Sequence, residues 1–325
     1  MLSHFSCAAT IIKEEQHPHL RRPKESSTIT AGRRDLQRQF SIDELVQQNK
    51  HLGQLRYFLV EGGIPNYFKG NQGPVTLFAP WNQALDQLDM DIQEKFHTHA
   101  WYVHLENFLL HHVYLGDLSI ESLQGSQEIV MANNETVVVT RQPGTSRAHA
   151  DNVLALANYD ATNGHAYMLD KVLRPAWFDR MLLDYIASTP SLSILAYWIE
   201  LAGLQDTMNQ PRNGMTILAP DDTAFEAMDY MDRGRLLKNP AILRDTILYH
   251  MIPFTLPAGC LSNDADPPVE TKLVGKMLDL IILDPNKPPI IAGEVNQASI
   301  ILGDQPSYNG IVHVIDTVLL LAQEE

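Results

Sequence analysis

Five histidines lie close together in the first half of the chain: His97, His99, His104, His111 and His112. Imidazoles at short spacing can hold zinc or copper. On a helix, however, His104, His111 and His112 would spread around the cylinder over about two turns, and no Asp, Glu or Cys completes a coordination shell at a strict spacing. We therefore expect solvated and core-edge histidines, with no metal site and no cofactor.

Sequence signatures of catalysis are missing from the chain. It contains no GxxxxGK phosphate loop, no GxGxxG dinucleotide fingerprint, no HExxH zinc motif and no GxSxG nucleophile elbow. Its two cysteines, Cys7 and Cys260, are too few for a disulfide framework or a Cys-based metal site. These observations favour a protein that is not an enzyme.

Length and charge restrict the kinds of partner. The 325 residues correspond to about two domains, and 45% apolar residues suffice for sizeable cores. The formal charge of −15 disfavours nucleic acid and anionic membrane surfaces. The sequence contains no run of about 20 apolar residues, so it predicts no membrane-spanning segment.

The first forty residues differ from the rest. Residues 1–40 hold 7 basic and 4 acidic side chains, whereas the remaining 285 hold 17 and 35. Residues 2–12 resemble a signal peptide only weakly, because His4 and two serines interrupt the apolar run and no basic residue precedes it. We interpret residues 1–40 as a flexible basic tail or the remnant of a leader whose start is truncated.

The rest of the chain contains two copies of one pattern. VTLFAPWNQAL at residues 75–85 corresponds to MTILAPDDTAF at 215–225, an offset of 140. NFLLHHV at 107–113 corresponds to TILYHM at 246–251, and NGHAYMLDKVL at 163–173 to NGIVHVIDTVL at 309–319. Offsets that drift between 138 and 146 indicate loops of changing length between matched elements. We therefore expect two repeated domains, at residues 41–176 and 177–322.

Each copy is predicted to begin with helices and end with strands. Leu52, Leu55, Leu59 and Gly63 have the spacing of an apolar helix face followed by a glycine cap, and the same spacing recurs 140 residues later. Residues 136–140 are β-branched, and residues 278–283 and 290–291 predict strands around a turn. Pro80 and Pro220 separate a strand from a helix that Asn82 or Asp222 can cap. The order indicates an α+β fold.

The three motifs, present in order in each copy, resemble the first conserved box, the central Tyr-His motif and the second conserved box of fasciclin domains. The resemblance covers roughly residues 41–322. It implies two fasciclin-like domains, each a wedge-shaped folded sheet of about seven strands with helices along one side. Fasciclin domains usually occur in secreted or cell-surface proteins that mediate adhesion or bind matrix components, and the resemblance implies the same for this chain.

Candidate partner-binding residues follow from the resemblance. In the family the Tyr-His region contributes to receptor contact, which points to Tyr249 and His250 and to His111 and His112 in the first copy. A structural interpretation of His112 and His250 stands beside this: a buried neutral imidazole can bond backbone on both ring nitrogens and hold a helix to a sheet. Adhesive members often have an Asp-Ile pair just before the Asn-Gly of the second box. The aligned positions hold Asn158-Tyr159 in the first copy and Asp304-Gln305 in the second, so neither copy has the pair there and Asp304 keeps only its acid.

The sequence leaves two hypotheses about function. The first is a non-catalytic extracellular or cell-surface protein that binds a cell-surface protein, a matrix protein or a polysaccharide through its two modules. Asn134, in the sequon Asn134-Glu135-Thr136, is its candidate glycosylation site. The alternative is a soluble binder of a small apolar or glycan ligand, with Met215, Phe225, Met228, Tyr230 and Met251 as candidate lining.

Overall fold

The computed structural model describes residues 40–64, 68, 73–119, 123, 125–142, 147–210, 214–260, 268–281 and 289–322. The predicted tail, apart from Phe40, and Cys7 lie outside these residues. The chain divides into two compact units. Residues 40–90 and 105–175 form what we call the N-terminal unit, and residues 91–104 and 176–322 form the C-terminal unit. The boundaries 41–176 and 177–322 stay predictions.

Helices and strands follow the predicted order in both halves. The first half contains α1 (Ile42–Gln48), α2 (Gly53–Glu61), β1 (Val75–Pro80), α3 (Asn82–Leu85), α4 (Met90–Phe96), α5 (Tyr102–Leu110), β2 (Val113–Tyr114), β3 (Ser126–Val130), β4 (Thr136–Arg141), β5 (Ala148–Ala150), β6 (Val153–Ala161) and β7 (Gly164–Leu169). The second half contains α6 (Leu182–Ser188), α7 (Ser193–Leu201), α8 (Gln205–Met208), β8 (Met215–Pro220), α9 (Asp222–Ala227), α10 (Tyr230–Lys238), α11 (Pro240–Tyr249), β9 (Met251–Ile252), β10 (Val269–Glu270), β11 (Met277–Ile281), β12 (Ile290–Ala292), β13 (Gln297–Ser307) and β14 (Gly310–Ile315). Short 3₁₀ helices occupy Lys50–Leu52, His99–Trp101, Ala176–Asp179, Pro190–Leu192 and Ala258–Cys260.

Among the described residues, each unit contains one seven-stranded sheet. The strand order is β2-β1-β7-β6-β5-β4-β3 in the N-terminal unit and β10-β11-β12-β13-β14-β8-β9 in the C-terminal unit. The pairs β1–β7 and β8–β14 are parallel, whereas the neighbouring pairs β6–β7 and β13–β14 are antiparallel. The α+β class predicted from the order of helices and strands is confirmed, and so are the about seven strands in each repeat that the resemblance implies.

The central strands are buried on both faces. In β8, Met215, Ile217 and Ala219 pack in a cluster with the helices, whereas Leu218 packs in a second cluster with strands β11 to β13. A strand covered on both sides has no solvent face, so its sequence is apolar without alternation. This explains why the strand at the start of the first box, Val75–Pro80 in one repeat and Met215–Pro220 in the other, consists mostly of apolar residues.

The Asn-Gly of the second box joins the helices to the sheet. Gly164 has φ +140, and a Cβ there would lie 1.8 Å from the carbonyl oxygen of Val75; at Gly310 the corresponding distance, to Met215, is 1.9 Å. Only glycine lets these backbones approach so closely. The neighbouring amides of Asn163 and Asn309 accept hydrogen bonds from the N–H groups of Ile42 and Leu182, both at 2.9 Å. The start of α1 or α6 is thereby fixed to the start of β7 or β14.

Helix capping after the first strand differs from the prediction in both repeats. Gly63 and Gly203 have φ +69 and +62, as expected of glycines that end helices. The residue that caps α9 is Asp221, whose carboxylate accepts the N–H of Ala224 at 2.8 Å, so the prediction of Asp222 was wrong by one position. Asp222 instead accepts the N–H of Ile194 at 2.9 Å, and Asn82 accepts that of Gln54 at 3.1 Å. The residue before α3 is Trp81, so the prediction that Asn82 caps this helix was also wrong by one position. Asp222 and Asn82 bond instead to helices earlier in the chain, α7 and α2, because both already stand inside the first turn.

Candidate interaction site

Two buried histidines stand where the last long helix of each repeat meets the sheet. His112 follows α5, and its Nδ1–H donates to the carbonyl oxygen of Phe108 at 2.8 Å while its Nε2 accepts the N–H of Leu173 at 3.0 Å. His250 follows α11 and makes the same pair of bonds, at 2.7 Å to Thr246 and 3.0 Å from Leu319. The backbone donor at Nε2 fixes the proton on Nδ1. Each imidazole therefore holds a helix end to the segment after the last strand, as the structural interpretation predicted.

These histidines are held neutral. Burial lowers the pKa of His112 to about 3 and that of His250 to about 4. A proton added at Nε2 would face a backbone N–H that is already a donor, so the charged form also loses a hydrogen bond. At neutral pH neither ring carries charge to a partner.

The residue before each histidine bonds to the hairpin beside it. The hydroxyl of Tyr249, a fully buried side chain, donates to the carbonyl oxygen of Met277 at 3.1 Å and accepts the N–H of Glu294 at 3.0 Å. Burial raises the pKa of Tyr249, so the phenol keeps its proton. Tyr249 thus links the start of β11, directly after the loop at residues 271–276, to the loop at residues 293–296.

His111 takes the place of Tyr249 in the N-terminal unit. Its Nδ1 lies 3.3 Å from the side-chain oxygen of Asn133 and 3.6 Å from the Glu135 carboxylate. Burial lowers the pKa of His111, and the charge of Glu135 opposes that shift. The equivalent positions therefore both organise a hairpin, with different chemistry.

The two loops over Tyr249 expose apolar side chains. Val274 is 90% exposed, Val295 56% and Met277, directly after the first loop, 49%. The amine of Lys276 lies 2.7 Å from the carboxylate of Glu294 and links one loop to the other. We call Val274, Met277 and Val295 the Val274 patch, which is presented on loops fixed from below by Tyr249.

The corresponding hairpin of the N-terminal unit carries the sequon. Main-chain hydrogen bonds show the equivalence, because Ala132 donates to Val113 at 2.8 Å and Lys272 donates to Met251 at 2.7 Å. Asn134 has φ +66 in the turn between β3 and β4 and is exposed. Glycosylation at Asn134 stays a prediction, at a position where a glycan would extend into solvent.

Asp304 bonds to a different loop from Tyr249 and His250. It has φ +57, its carboxylate accepts the N–H of Ala258 at 2.8 Å, and its own N–H donates to Nδ1 of His313 at 3.0 Å. The Nε2–H of His313 donates to the carbonyl oxygen of Leu256 at 2.8 Å. The structure thus gives Asp304 an internal role, while its contact with a partner stays a prediction.

The remaining histidines of the first-half cluster have separate surroundings. His97 and His99 are exposed, whereas His104 is buried within the C-terminal unit, with Nε2 at 2.9 Å from the carbonyl oxygen of Ser307. Burial lowers the pKa of His104 to about 3. Within the described ranges, no group of three or more His, Cys, Asp or Glu side chains has the arrangement of a metal site. Among the same residues, no helix has the length and apolar character to cross a bilayer.

Comparison with known proteins places these features in a family. The model of the fasciclin domain matches residues 50–175 and again residues 190–321. The chain belongs to the fasciclin family. Its two fasciclin domains thus share three features. These are the buried histidine at the helix end, the Asn-Gly junction and the buried strand of the first box.

Relatives match the fasciclin region of this chain. The chain is 25% identical over 266 residues to transforming growth factor-beta-induced protein ig-h3 of Sus scrofa, an alignment covering 80% of this chain and 35% of that protein. It is 23% identical over 249 residues to periostin of Homo sapiens, covering 76% of this chain and 27% of periostin. A solved FAS1 domain pair from the insect cell adhesion molecule fasciclin I has a TM-score of 0.46 and 16% identity, covering 84% of this chain and 98% of that chain. The chain spans about a third of the two curated relatives or less.

Some residues at this fasciclin site carry no sequence signal. Lys276 and Glu294 are eighteen positions apart and belong to no motif, so only the fold shows that they pair. His313, in contrast, lies inside the second box. A histidine within an apolar run is a sequence signal for a buried polar contact.

Proposed function

We propose that this protein is a non-catalytic interaction protein of the cell surface or extracellular matrix, acting through its two fasciclin domains. Its partner in this proposal is a cell-surface protein, a matrix protein or a polysaccharide. The observation that carries the proposal is the fasciclin match over both repeats, residues 50–175 and 190–321. An extracellular or cell-surface location belongs to the same proposal.

The Val274 patch supports a contact surface in the second domain. Exposed apolar side chains on a surface contribute binding energy when a partner covers them. Loops that are already fixed lose little conformational freedom on binding, and the Tyr249 hydroxyl together with the Lys276–Glu294 pair fixes these loops. Tyr249 and His250 would then act from beneath the contact surface.

The repeat itself adds avidity. Two modules in one chain raise the apparent affinity when both reach their partners, even if each site alone is weak. The acidic charge of −15 makes a polyanionic partner such as nucleic acid unfavourable.

Retention on a coated surface tests the proposal. The full chain is coated, cells or solubilised matrix polymers are applied under flow, and an equal coat of acid-unfolded chain is the control. We expect retention on the folded coat well above the control. Equal retention on both coats would contradict an adhesive function.

The predicted lining of the alternative, small-ligand hypothesis does not form a site in the second domain. Met215, Phe225 and Met251 are packed in the core cluster, with Met228 against it, and Tyr230 is 85% exposed. A cavity lies instead in the N-terminal unit.

A further inference from the structure

The N-terminal unit contains a cavity of about 340 Å³ between its first helices and the sheet. Its walls are largely apolar, with polar groups from α1 and the residue after it. Its lining includes Phe40, Leu45, Gln48, Tyr159, Ala166 and Met168. A dry cavity of about 150 Å³ holds a benzene molecule in another protein, so this one has room for a substituted ring.

The second repeat shows what the same fold places there. Ile42 and Leu182 make the same bond to Asn163 and Asn309, so α1 and α6 correspond at an offset of 140. Leu45 therefore corresponds to Tyr185, a side chain that is 7% exposed. The tyrosine reaches from α6 towards β13.

The end of the Tyr185 side chain marks the far wall. Its hydroxyl lies 3.4 Å from the side-chain oxygen of Gln305. The offset of 146 that relates Asn163 to Asn309 relates Tyr159 to Gln305, and Tyr159 lines the cavity of the N-terminal unit. A phenol ring in the C-terminal unit thus spans the distance that the cavity spans between Leu45 and Tyr159.

The neighbours of the ring have also changed. Arg180 stands 4.7 Å over the ring of Tyr185, and its carbonyl oxygen accepts the N–H of Tyr308 at 2.8 Å. Phe40 is its counterpart, since its carbonyl oxygen accepts the N–H of Thr162 at 2.9 Å. A cation over the ring is replaced by an aromatic side chain at the wall of the cavity.

The sheet side of the cavity is also remodelled. At the offset of 146, Ala166 corresponds to Val312, a smaller side chain in place of a larger one. Met168 corresponds to Val314, and an unbranched thioether adapts to the shape of a guest better than a β-branched chain does. Both changes widen or soften the wall that faces Leu45.

We propose that this cavity binds a small, uncharged phenolic molecule in the position that the Tyr185 side chain occupies in the C-terminal unit. The ring would lie between Leu45, Ala166 and Met168, and its hydroxyl would meet the polar groups of Gln48 and Tyr159. A charged substituent would be disfavoured because the walls offer no opposite charge. The inference goes beyond the adhesive function and involves the other domain.

Binding of 4-fluorophenol to the full chain, followed by ¹⁹F NMR, tests the proposal. A ligand of eight heavy atoms in a well-fitting apolar site has a Kd on the order of 0.1–1 mM. We expect saturable binding in this range at one site per chain, with 4-fluorobenzoate at least about tenfold weaker. No saturable binding below about 10 mM, or equal binding of an aliphatic probe such as 4,4-difluorocyclohexanol, would overturn the proposal.

Reciprocal variants locate the site. Leu45→Tyr should abolish 4-fluorophenol binding and leave the melting temperature unchanged or higher, because the side chain supplies the ring. Ala166→Val is a second variant for the case in which the Leu45→Tyr side chain does not fit. It narrows the cavity from the sheet side and should weaken 4-fluorophenol binding. Tyr185→Leu together with Val312→Ala, which gives the C-terminal unit both of these cavity residues, should add a second binding site there. Unchanged affinity in both Leu45→Tyr and Ala166→Val would show that the probe binds elsewhere and would overturn the assignment.

Discussion

The side-chain oxygen of Asn309 accepts the backbone N–H of Leu182 at 2.9 Å, across 127 positions of sequence. The same amide donates to the carbonyl oxygens of Met208 and Gln210, at 2.6 and 3.2 Å. One fully buried side chain thereby satisfies three backbone groups from two segments. Asn309 is the point at which the helical layer is attached to the sheet.

Asn309→Ala should therefore destabilise the C-terminal unit strongly. The substitution leaves a helix N–H and two carbonyl oxygens without their partner in a buried place, at a cost of about 2–4 kcal/mol in the free energy of unfolding. Urea unfolding followed by circular dichroism measures it. Asn209→Ala, at the exposed position directly after Met208, is the control and should change the free energy of unfolding by less than about 0.5 kcal/mol.

Gly310→Ala should disrupt the parallel pairing of β8 with β14. A Cβ at this position would lie 1.9 Å from the carbonyl oxygen of Met215, so one strand must shift. We expect the free energy of unfolding to fall by about 2–4 kcal/mol. Gly234→Ala in α10 has no atom within 4 Å of its new Cβ and should instead stabilise, by roughly 0.5–1 kcal/mol. Equal effects of the two alanines would refute the close-approach argument.

The buried histidines predict acid lability with a definite sign. His104, His112 and His250 have pKa values lowered from 6.5 to about 3, about 3 and about 4. Below pH 6.5 these histidines bind protons in the unfolded chain but stay neutral in the folded chain. The free energy of unfolding is therefore highest above pH 6.5 and falls as the pH drops towards 4. Each such group contributes a slope of up to about 1.4 kcal/mol per pH unit in this window.

The histidine contribution is separated by variants measured as a function of pH. His250→Gln cannot take up a proton, so its unfolding free energy should depend less steeply on pH between 4 and 6.5, whatever its value at pH 7. His99→Gln changes an exposed ring and should leave the slope as it is. A slope in His250→Gln as steep as in the parent chain would mean that His250 is protonated in the folded state.

Tyr249→Phe should loosen the two loops under the Val274 patch. Loss of the hydroxyl leaves the N–H of Glu294 and the carbonyl oxygen of Met277 without that partner, at a cost of about 1–2 kcal/mol. Hydrogen exchange at residues 271–276 and 293–296 should rise, while exchange in β1 and β7 should not change. Tyr197→Phe, at a tyrosine that is 56% exposed, is the control and should leave both loops as they are.

Much of the fold was predictable because the sequence repeats. Matching boxes at fixed offsets gave the element order, the Asn-Gly junction and the helix-ending glycines, since these positions are restricted by local geometry. The buried role of His112 and His250 followed from a polar residue at the end of an apolar helix. The cap of α9 was placed one residue late because Asp221 and Asp222 are both acids, and only the backbone shows which one precedes the first turn.

The candidate surfaces were harder to predict for a physical reason. Lys276 and Glu294 pair through the meeting of two loops, and a loop position imposes no periodicity on the sequence. The cavity depends on the difference between Leu45 and Tyr185, either of which is an ordinary apolar residue on a helix face. Its presence becomes visible only when the two repeats are compared within a known fold.

The central claim is that the protein binds its partner through the Val274 patch of the second fasciclin domain. It is tested most directly by retention of cells or matrix polymers on the full chain carrying both Val274→Ser and Val295→Ser. The matched control carries Val60→Ser and Leu156→Ser, at two apolar residues of the N-terminal unit that are 64% and 43% exposed and lie outside the hairpin corresponding to the patch. We predict that the patch variant loses at least about tenfold in retention, with an unchanged melting temperature, and that the control retains as the parent chain does. Equal retention by both variants would contradict the account.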